Sequence, residues 1–310
     1  MDPELFDAVL TDLSNASVQF DTLIPFWLGE PLIHPEFGRL YRSGLRAAAD
    51  RGTFRRVELH TNATHLGRDR VQAALNDAPV PQTWHLSIDA DTPDRYARIK
   101  GRASFAEVLA NVEGFLDELA RRRPRWPRPV FQMIVGENNA AEVPAFLRRW
   151  TSACERRGLP VRPSAQSVPV GEDAIVFFRQ LDAPDPQAQE RANAAFRSAM
   201  AAIGLDLPRP ASTPLRVAPG PGVCGCLWKS PVVGWQGDVT TCVRDNRFEN
   251  RVGNVKNTPL SELWWGPRMR QSREGAHAGN YAGLSASRDC YIPRSANYTG
   301  VTPAEIASWA

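Results

Sequence analysis

The sequence predicts an α/β protein in which βα units form a parallel sheet, followed by a smaller C-terminal region with few long periodic stretches. Up to residue 166, short apolar runs alternate with helical patterns, which is typical of βα units. The series opens with a helix, whereas a parallel βα array normally begins with a strand, so the first strand is predicted to be missing. Four of the five cysteines lie in the last third, where long periodic stretches are few.

The composition is that of a folded protein. The chain has 310 residues, 43% hydrophobic and 23% charged, which excludes global disorder. A net charge of +3 with scattered basic residues argues against a nucleic-acid partner. No apolar run approaches the roughly 20 residues that cross a bilayer, and the acidic N-terminus is unlike a signal sequence. We therefore expect a cytoplasmic protein without a membrane partner.

Local patterns predict the elements in order. Asp2-Pro3-Glu4 has the form of a helix start, with apolar residues at helical spacing up to Leu13. Later helices are predicted from their periodicity over 36–50, 68–75, 104–119 and 141–157. Strands are predicted where β-branched and aromatic residues cluster, over 18–27, 54–59, 83–88, 130–135 and from 160.

A helical segment and a linker are predicted between the sheet and the C-terminal domain. Residues 171–206 have an Ala-rich amphipathic pattern and are interpreted as helical, and prolines between 208 and 221 mark a linker. The predicted domains are therefore 1–166, a helical segment with a Pro-rich linker over 167–222, and 223–310. The last domain has a weak apolar core, which a bound metal would stabilise.

The cysteines of the last domain flank a predicted hairpin. Ten residues separate Cys226 from Gly237, and four more precede Cys242, which predicts a β-hairpin that turns at Gly237. Together with Cys224 and Cys290, these residues offer four thiolates, which suit zinc or an iron–sulfur cluster. Reduced, buried cysteines in an ordinary domain are one alternative. Structural zinc is another, although the single residue between Cys224 and Cys226 is unlike the spacing of zinc ribbons.

Short segments near successive strand ends carry a resemblance to a known family. They are Leu28-Gly29-Glu30, Thr61-Asn62-Ala63-Thr64, Ser87-Ile88-Asp89, Arg98-Ile99-Lys100-Gly101 and Gln132-Met133-Ile134-Val135, followed in the last third by Val252-Gly253-Asn254 and Leu260-Ser261-Glu262-Leu263-Trp264. In this order the segments resemble a radical S-adenosylmethionine (SAM) protein with a C-terminal SPASM or twitch iron–sulfur domain. The resemblance implies a partial (βα)6 TIM-like barrel missing its first strand, and a small SPASM-like domain with a β-hairpin.

The resemblance also implies two sites. One is a site for S-adenosyl-L-methionine at the strand ends, formed by Gly29, Glu30, Asn62, Ser87 and Asp89. The other is an auxiliary [4Fe-4S] cluster, held by Cys224, Cys226, Cys242 and Cys290. Each residue of the first set also has a structural interpretation, as a loop cap, a turn residue or a helix cap. His60 and His85 lie inside predicted strands and are expected to be packed or solvent-facing, and Cys154 is expected in the core.

The sequence departs from the family pattern in two places. Radical SAM enzymes carry a C-x3-C-x2-C triplet after the first strand, whereas no cysteine precedes Cys154 here. We expect either a shortened chain or a natural loss of that cluster, and predict that these 310 residues do not cleave SAM reductively. The family tail commonly ends in a C-x2-C pair, of which Ser287 takes the first position and Cys290 the second.

Three functional hypotheses follow. The resemblance implies a full-length form that cleaves SAM to a 5′-deoxyadenosyl radical and modifies a peptide or small-molecule substrate, with a reductant protein such as a flavodoxin or ferredoxin. The second hypothesis is a non-catalytic [4Fe-4S] protein of this lineage, acting as a binding module or electron relay. The third is a cluster-free α/β-barrel-like enzyme that uses the strand-end residues.

Overall fold

The computed structural model describes residues 1–74, 79–101, 104–122, 126–165, 168, 171–183, 185–207, 225–278, 280 and 283–284. The chain divides into two compact units. One unit is Phe20–Leu207, and the other combines Met1–Gln19 with Pro208–Ala310.

A six-stranded sheet forms the centre of the Phe20–Leu207 unit. Its strands are β1 (Phe20–Leu23), β2 (Phe54–Thr61), β3 (Gln82–Ser87), β4 (Arg128–Val135), β5 (Val161–Ser164) and β6 (Ala174–Gln180). The order across the sheet is β1-β2-β3-β4-β6-β5, and every neighbouring pair is parallel. The predicted α/β fold with a parallel sheet is thus confirmed.

The helices of this unit begin where the sequence supplies capping groups. Thr92, Ser104 and Asp185 each cap a helix by accepting a hydrogen bond from a backbone N–H in its first turn. The helices are α2 (Phe37–Ala49), α3 (Arg68–Ala74), α4 (Pro93–Lys100), α5 (Phe105–Ala120), α6 (Val143–Glu155) and α7 (Pro186–Ala202).

The two faces of the sheet differ in chemistry. On one face, aromatic side chains pack against helices: Trp84 stacks on Phe115 of α5, and Phe131 stacks on Trp150 of α6. Cys154 of α6 is fully buried, which confirms its place in the core, and burial raises the pKa of its thiol to about 12. Because side chains alternate along a strand, the residues next to Trp84, including His85, lie on the opposite face.

The interpretation of residues 171–206 as helical is wrong in its first part. Ala174–Gln180 forms β6, and only Pro186–Ala202 is a helix. A short apolar run does not by its periodicity distinguish a buried strand from a helix. Here β6 lies between β4 and β5, where a strand has neighbours on both edges and a continuous apolar run is expected.

The second unit contains the antiparallel sheet. Its strands are β7 (Val232–Val233), β8 (Asp238–Thr240) and β9 (Arg251–Asn254), paired in that order, and its helices are α1 (Pro3–Asn15), α8 (Cys226–Lys229), α9 (Leu260–Trp265) and α10 (Pro267–His277). Asp2 caps α1 as the sequence predicts. The sequence-based division groups α1 with the βα units, whereas in the structure its Asp12 carboxylate accepts two hydrogen bonds from Ser261 of α9.

Candidate functional site

The Glu30 carboxylate forms hydrogen bonds with the segment that follows β1 and with the end of β2. One carboxylate oxygen accepts hydrogen bonds from the Thr61 hydroxyl (2.7 Å) and the Leu32 N–H (3.1 Å). The other accepts from the Asn62 N–H at 2.7 Å. The carboxylate therefore fixes the segment after β1 against the segment after β2.

The loop after β2 is closed by side-chain amides. The Asn62 side-chain oxygen accepts hydrogen bonds from the N–H (2.9 Å) and hydroxyl (2.6 Å) of Thr64, which makes a tight polar turn. Ala63 has a φ of 63° and is fully buried. Asn111 of α5 donates to the carbonyls of Ala63 and Thr64, each at 3.1 Å, and so holds the loop from outside.

Ser87 and Asp89 form a charged cluster with Lys100 at the end of β3. The Asp89 carboxylate lies 2.5 Å from the Lys100 ammonium and accepts a hydrogen bond from the Ser87 hydroxyl at 2.8 Å. Lys100 also donates to the Ser87 hydroxyl at 3.0 Å. Asp89 is buried, whereas Ser87 and Lys100 are half-buried, so these two carry the more accessible polar atoms.

Asp89 also joins β3 to β4. Its second carboxylate oxygen accepts from the Ile134 N–H at 2.6 Å, and its own carbonyl accepts from the Asn139 amide at 2.9 Å. Its φ of 64° is rare for a residue other than glycine, and these contacts hold it there.

The structure thus brings the five predicted cofactor residues to one edge of the sheet. Glu30, with Gly29 beside it, contacts Asn62, and Ser87 contacts Asp89. Thr61 of β2 lies opposite Leu86 of β3 in the sheet, and Asn62 and Ser87 are the next residues along the chain, so they too are neighbours. Sequence reasoning missed four residues that support them, Thr61, Lys100, Asn111 and Asn139. Thr61 and Lys100 each stand within a segment that carries the family resemblance, which could have singled them out.

The polar face of the sheet carries a second group of titratable residues below this edge. His85 is buried, and burial lowers its pKa to about 4, so its imidazole is neutral at pH 7. Burial tends to raise the pKa of Glu58, but a hydrogen bond from His60 and nearby positive charges outweigh it, and the pKa is lowered. His85 is packed and His60 half-buried, in line with the expectation for these strands.

In the second unit, the predicted hairpin is present between Cys226 and Cys242. Cys226 begins α8, β7 and β8 pair as a hairpin, and Cys242 follows two residues after β8. Gly237 at the turn has a φ of 92°, and a Cβ added there would lie 2.8 Å from the side-chain oxygen of Asn254. Glycine is therefore required at the turn that joins the two cysteine segments.

A buried carboxylate orders the chain just after Cys242. Asp245 accepts hydrogen bonds from the N–H groups of Glu249 and Asn250, each at 2.8 Å, and from the Thr240 hydroxyl. Both Cys226 and Cys242 are half-buried. The other two predicted cluster ligands, Cys224 and Cys290, lie outside the described residues.

Comparison with known proteins identifies the C-terminal part. A family model described as SPASM, an iron–sulfur cluster-binding domain, matches residues 224–291, a range that includes all four predicted ligands. No curated protein sequence matches the chain. In the described part of the chain, no helix is long and apolar enough to cross a membrane.

Solved structures show the fold. His-tagged anSMEcpe with bound AdoMet superposes with a TM-score of 0.56 at 14% identity, over 100% of this chain and 82% of that chain. SuiB from Streptococcus suis bound to S-adenosylmethionine gives 0.56 at 13% identity, over 97% of this chain and 70% of that chain. Native anSMEcpe with bound AdoMet and the Cp18Cys peptide gives 0.55 at 13% identity, over 100% and 87%. The chain therefore has the fold of radical SAM enzymes and carries a C-terminal SPASM iron–sulfur cluster-binding domain.

Proposed function

We propose that this protein binds S-adenosyl-L-methionine at the carboxyl edge of its parallel sheet and a [4Fe-4S] cluster through its C-terminal cysteines, as a radical SAM/SPASM protein that acts on a peptide or small molecule. The observation that carries the proposal is the contact between Glu30 and Asn62. These two residues are 32 positions apart in the chain and belong to two different segments that resemble the family. Their hydrogen bond brings both segments to the same edge of the sheet. Ligands of open α/β sheets bind at this edge.

The residues at the edge fit a ligand with polar and charged groups. A Cβ placed on Gly29 would meet no atom within 4 Å, so there is space beside this backbone. The Glu30 carboxylate is occupied by protein donors, and its role is to position the segment rather than to contact the ligand. Ser87 and Lys100 offer a hydroxyl and an ammonium that are half accessible, which suits hydrogen bonding to a ribose or a carboxylate.

The C-terminal residues fit an iron–sulfur cluster. Thiolates are the ligands that such clusters use, and Cys226 and Cys242 are half-buried at the two ends of a hairpin region. This cluster would be an auxiliary one: in the full-length form, reductive cleavage of the sulfonium would be supplied by the cluster of the C-x3-C-x2-C triplet, while the protein binds, orients and excludes water. A peptide substrate is supported by the peptide bound to anSMEcpe. A flavodoxin or ferredoxin is proposed as the reductant because the chemistry consumes electrons.

The SAM site is tested by calorimetric titration of SAM into the protein. Replacing Ser87 by Ala removes one hydrogen-bonding group, and we expect binding to weaken by about 5-fold, since such a bond contributes about 1 kcal/mol. Ser14→Ala, whose hydroxyl bonds within α1, is the matched control and should bind like the parent protein. Equal affinity of Ser87→Ala and the parent protein would argue against this site.

The cluster is tested by anaerobic reconstitution followed by iron and sulfide analysis. We expect about four irons per chain for one [4Fe-4S] cluster. The Cys226→Ser and Cys242→Ser variants should each lose most of that iron, whereas Cys154→Ser should retain it if the variant folds. Zinc in place of iron, or iron unchanged in both thiol variants, would contradict the assignment.

A non-catalytic protein of this lineage is the alternative, and it is supported by the family model over residues 224–291, whose description names cluster binding alone. On this alternative the 310 residues bind SAM and an auxiliary cluster but act as a binding module or electron relay. We expect a reconstituted and reduced sample of these residues to yield no 5′-deoxyadenosine from SAM. Formation of 5′-deoxyadenosine above a protein-free control would exclude this alternative.

A further inference from the structure

Three potential metal ligands lie together on the polar face of the parallel sheet. Glu58 and His60 are two residues apart on β2 and therefore point to the same side. His60 and His85 are directly opposite each other in the register of β2 and β3. One ligand atom from each of the three residues lies within 4.8 Å of the others.

The distances leave only a small adjustment for a shared ion. Glu58 Oε1 lies 2.7 Å from His60 Nε2 and 3.5 Å from His85 Nε2. Zinc binds carboxylate oxygen and imidazole nitrogen at about 2.0–2.2 Å, so ligand atoms about 3.3 Å apart surround it in a tetrahedral arrangement. The two imidazole rings are stacked, with centroids 4.3 Å apart, and would tilt toward each other to share an ion.

The burial of the His85 imidazole indicates that its ring nitrogens bind a further group at this position. Its side chain is only 6% exposed, and among the described residues neither ring nitrogen makes a hydrogen bond of good geometry: Glu58 Oε1 is 3.5 Å from Nε2, and the Gln132 side chain is the other polar neighbour. A buried imidazole nitrogen left without a partner is unfavourable, and such groups in native proteins commonly mark a catalytic role, a water or an ion. A metal ion between Glu58, His60 and His85 would provide that partner.

The surroundings of the cluster favour binding of a cation by these ligands. Phe26 stacks on His60 with centroids 5.5 Å apart, and Phe177 presents itself edge-to-face to His85 at 6.4 Å, which limits the access of water. Arg56, the next residue on this face of β2, pairs with Asp21. Arg56 still acts on Glu58 as a nearby positive charge and helps to keep its carboxylate ionised, which is the form that binds a metal ion.

We propose that Glu58, His60 and His85 bind a divalent first-row transition-metal ion inside the parallel-sheet unit. Two imidazoles and one carboxylate form a ligand set that zinc and non-haem iron use, and three protein ligands leave a coordination position open for water or substrate. The site is separate from the C-terminal thiolates, and it requires neither the cluster nor the SAM site.

The probe ions are Zn²⁺ and Co²⁺, titrated into the full chain after removal of bound metal by a chelator. The Cys226→Ser/Cys242→Ser double variant removes thiolates of the other site, and we expect it still to bind one ion per chain. Bound Co²⁺ should show weak d–d bands without the intense charge-transfer band of a thiolate ligand. This spectrum separates the proposed site from failure of the cluster assignment.

In that background, Glu58→Gln and His85→Gln should each weaken binding by about 100-fold or more, since loss of a residue that only hydrogen-bonds to a metal ligand already costs about 10–100-fold. His65→Gln, an exposed histidine outside the cluster, is the matched control and should bind as before. Glu58→Asp keeps a carboxylate and should recover part of the affinity. If Glu58→Gln is folded by circular dichroism and binds the ion as tightly as its parent, or if the parent binds no ion, the proposal is wrong.

Discussion

Among single residues, Asn111 has an effect on the candidate site without belonging to it. Ala63 adopts a left-handed backbone conformation, which costs an L-residue roughly 1–2 kcal/mol. The two hydrogen bonds from the Asn111 amide to the carbonyls of Ala63 and Thr64 offset this cost. The position of Asn62 therefore depends on a residue of α5.

Replacing Asn111 by Ala should lower the free energy of unfolding by about 1–3 kcal/mol, because two half-buried carbonyls lose their donor. Asn111→Asp, which keeps the size but places an acceptor against the carbonyls, should be at least as destabilising. Denaturant unfolding measures both. Unfolding energies equal to that of the parent protein would show that the amide does not hold the loop.

Lys100 compensates the buried charge of Asp89. The two groups are 2.5 Å apart, with Asp89 5% exposed and Lys100 21% exposed. Lys100→Met should destabilise the protein by about 3 kcal/mol, because it leaves a carboxylate buried without its cation. Lys100→Arg should regain most of this. Thermal and denaturant unfolding of the two variants checks the order, and equal loss in both would mean that packing rather than charge is the cause.

At the scale of elements, the hairpin and the turn after it position Cys242, one of the cysteines in the segment that matches the SPASM family model. The hairpin needs Gly237, and the turn needs Asp245, which accepts three hydrogen bonds while only 2% exposed. Cys242 lies between the two features. Its position is therefore set by local backbone structure before any cluster binds.

Replacing Asp245 by Ala should destabilise this unit by about 3 kcal/mol and lower the iron content after reconstitution, because two backbone N–H groups lose their acceptor. Glu249→Ala removes an exposed acidic side chain from the same turn and serves as the control. Iron analysis alongside unfolding provides the measurement. Full iron content in a destabilised Asp245→Ala variant would show that the cluster does not depend on this turn.

At the scale of the whole molecule, the N-terminal helix belongs to the unit formed by the C-terminal part of the chain. Asp12 and Ser261 are 249 residues apart in the sequence, and their hydrogen bonds, at 2.7 and 2.9 Å, join α1 to the start of α9. The parallel sheet is a separate compact unit that begins at Phe20.

Asp12→Ala should therefore loosen α9 and leave the parallel sheet unchanged. Hydrogen exchange read by mass spectrometry should show faster exchange in peptides that cover Leu260–Trp265, with no change in peptides from β3. Ala8→Ser, at an exposed position of the same helix, is the control. Equal acceleration in α9 and β3 would indicate general destabilisation instead of a local contact.

The sequence by itself determined the features that depend on neighbouring residues. The cap at Asp2 and the turn at Gly237 are local, and so each was predictable from a few residues. The predicted cofactor residues could be placed because each lies at the end of a strand or in the segment after one, and parallel strands bring their carboxyl ends to one edge. Their binding roles and the domain boundaries stay predictions.

The tertiary structure decided what depends on contacts between distant segments. The position of β6 between β4 and β5, the support of Asp89 by Lys100 and Asn139, and the attachment of α1 to α9 arise from packing that no local pattern encodes. His60 and His85 are 25 residues apart, and only strand register stacks them. The physical reason is that hydrogen-bonded register and burial are properties of paired segments, whereas caps and turns are properties of one.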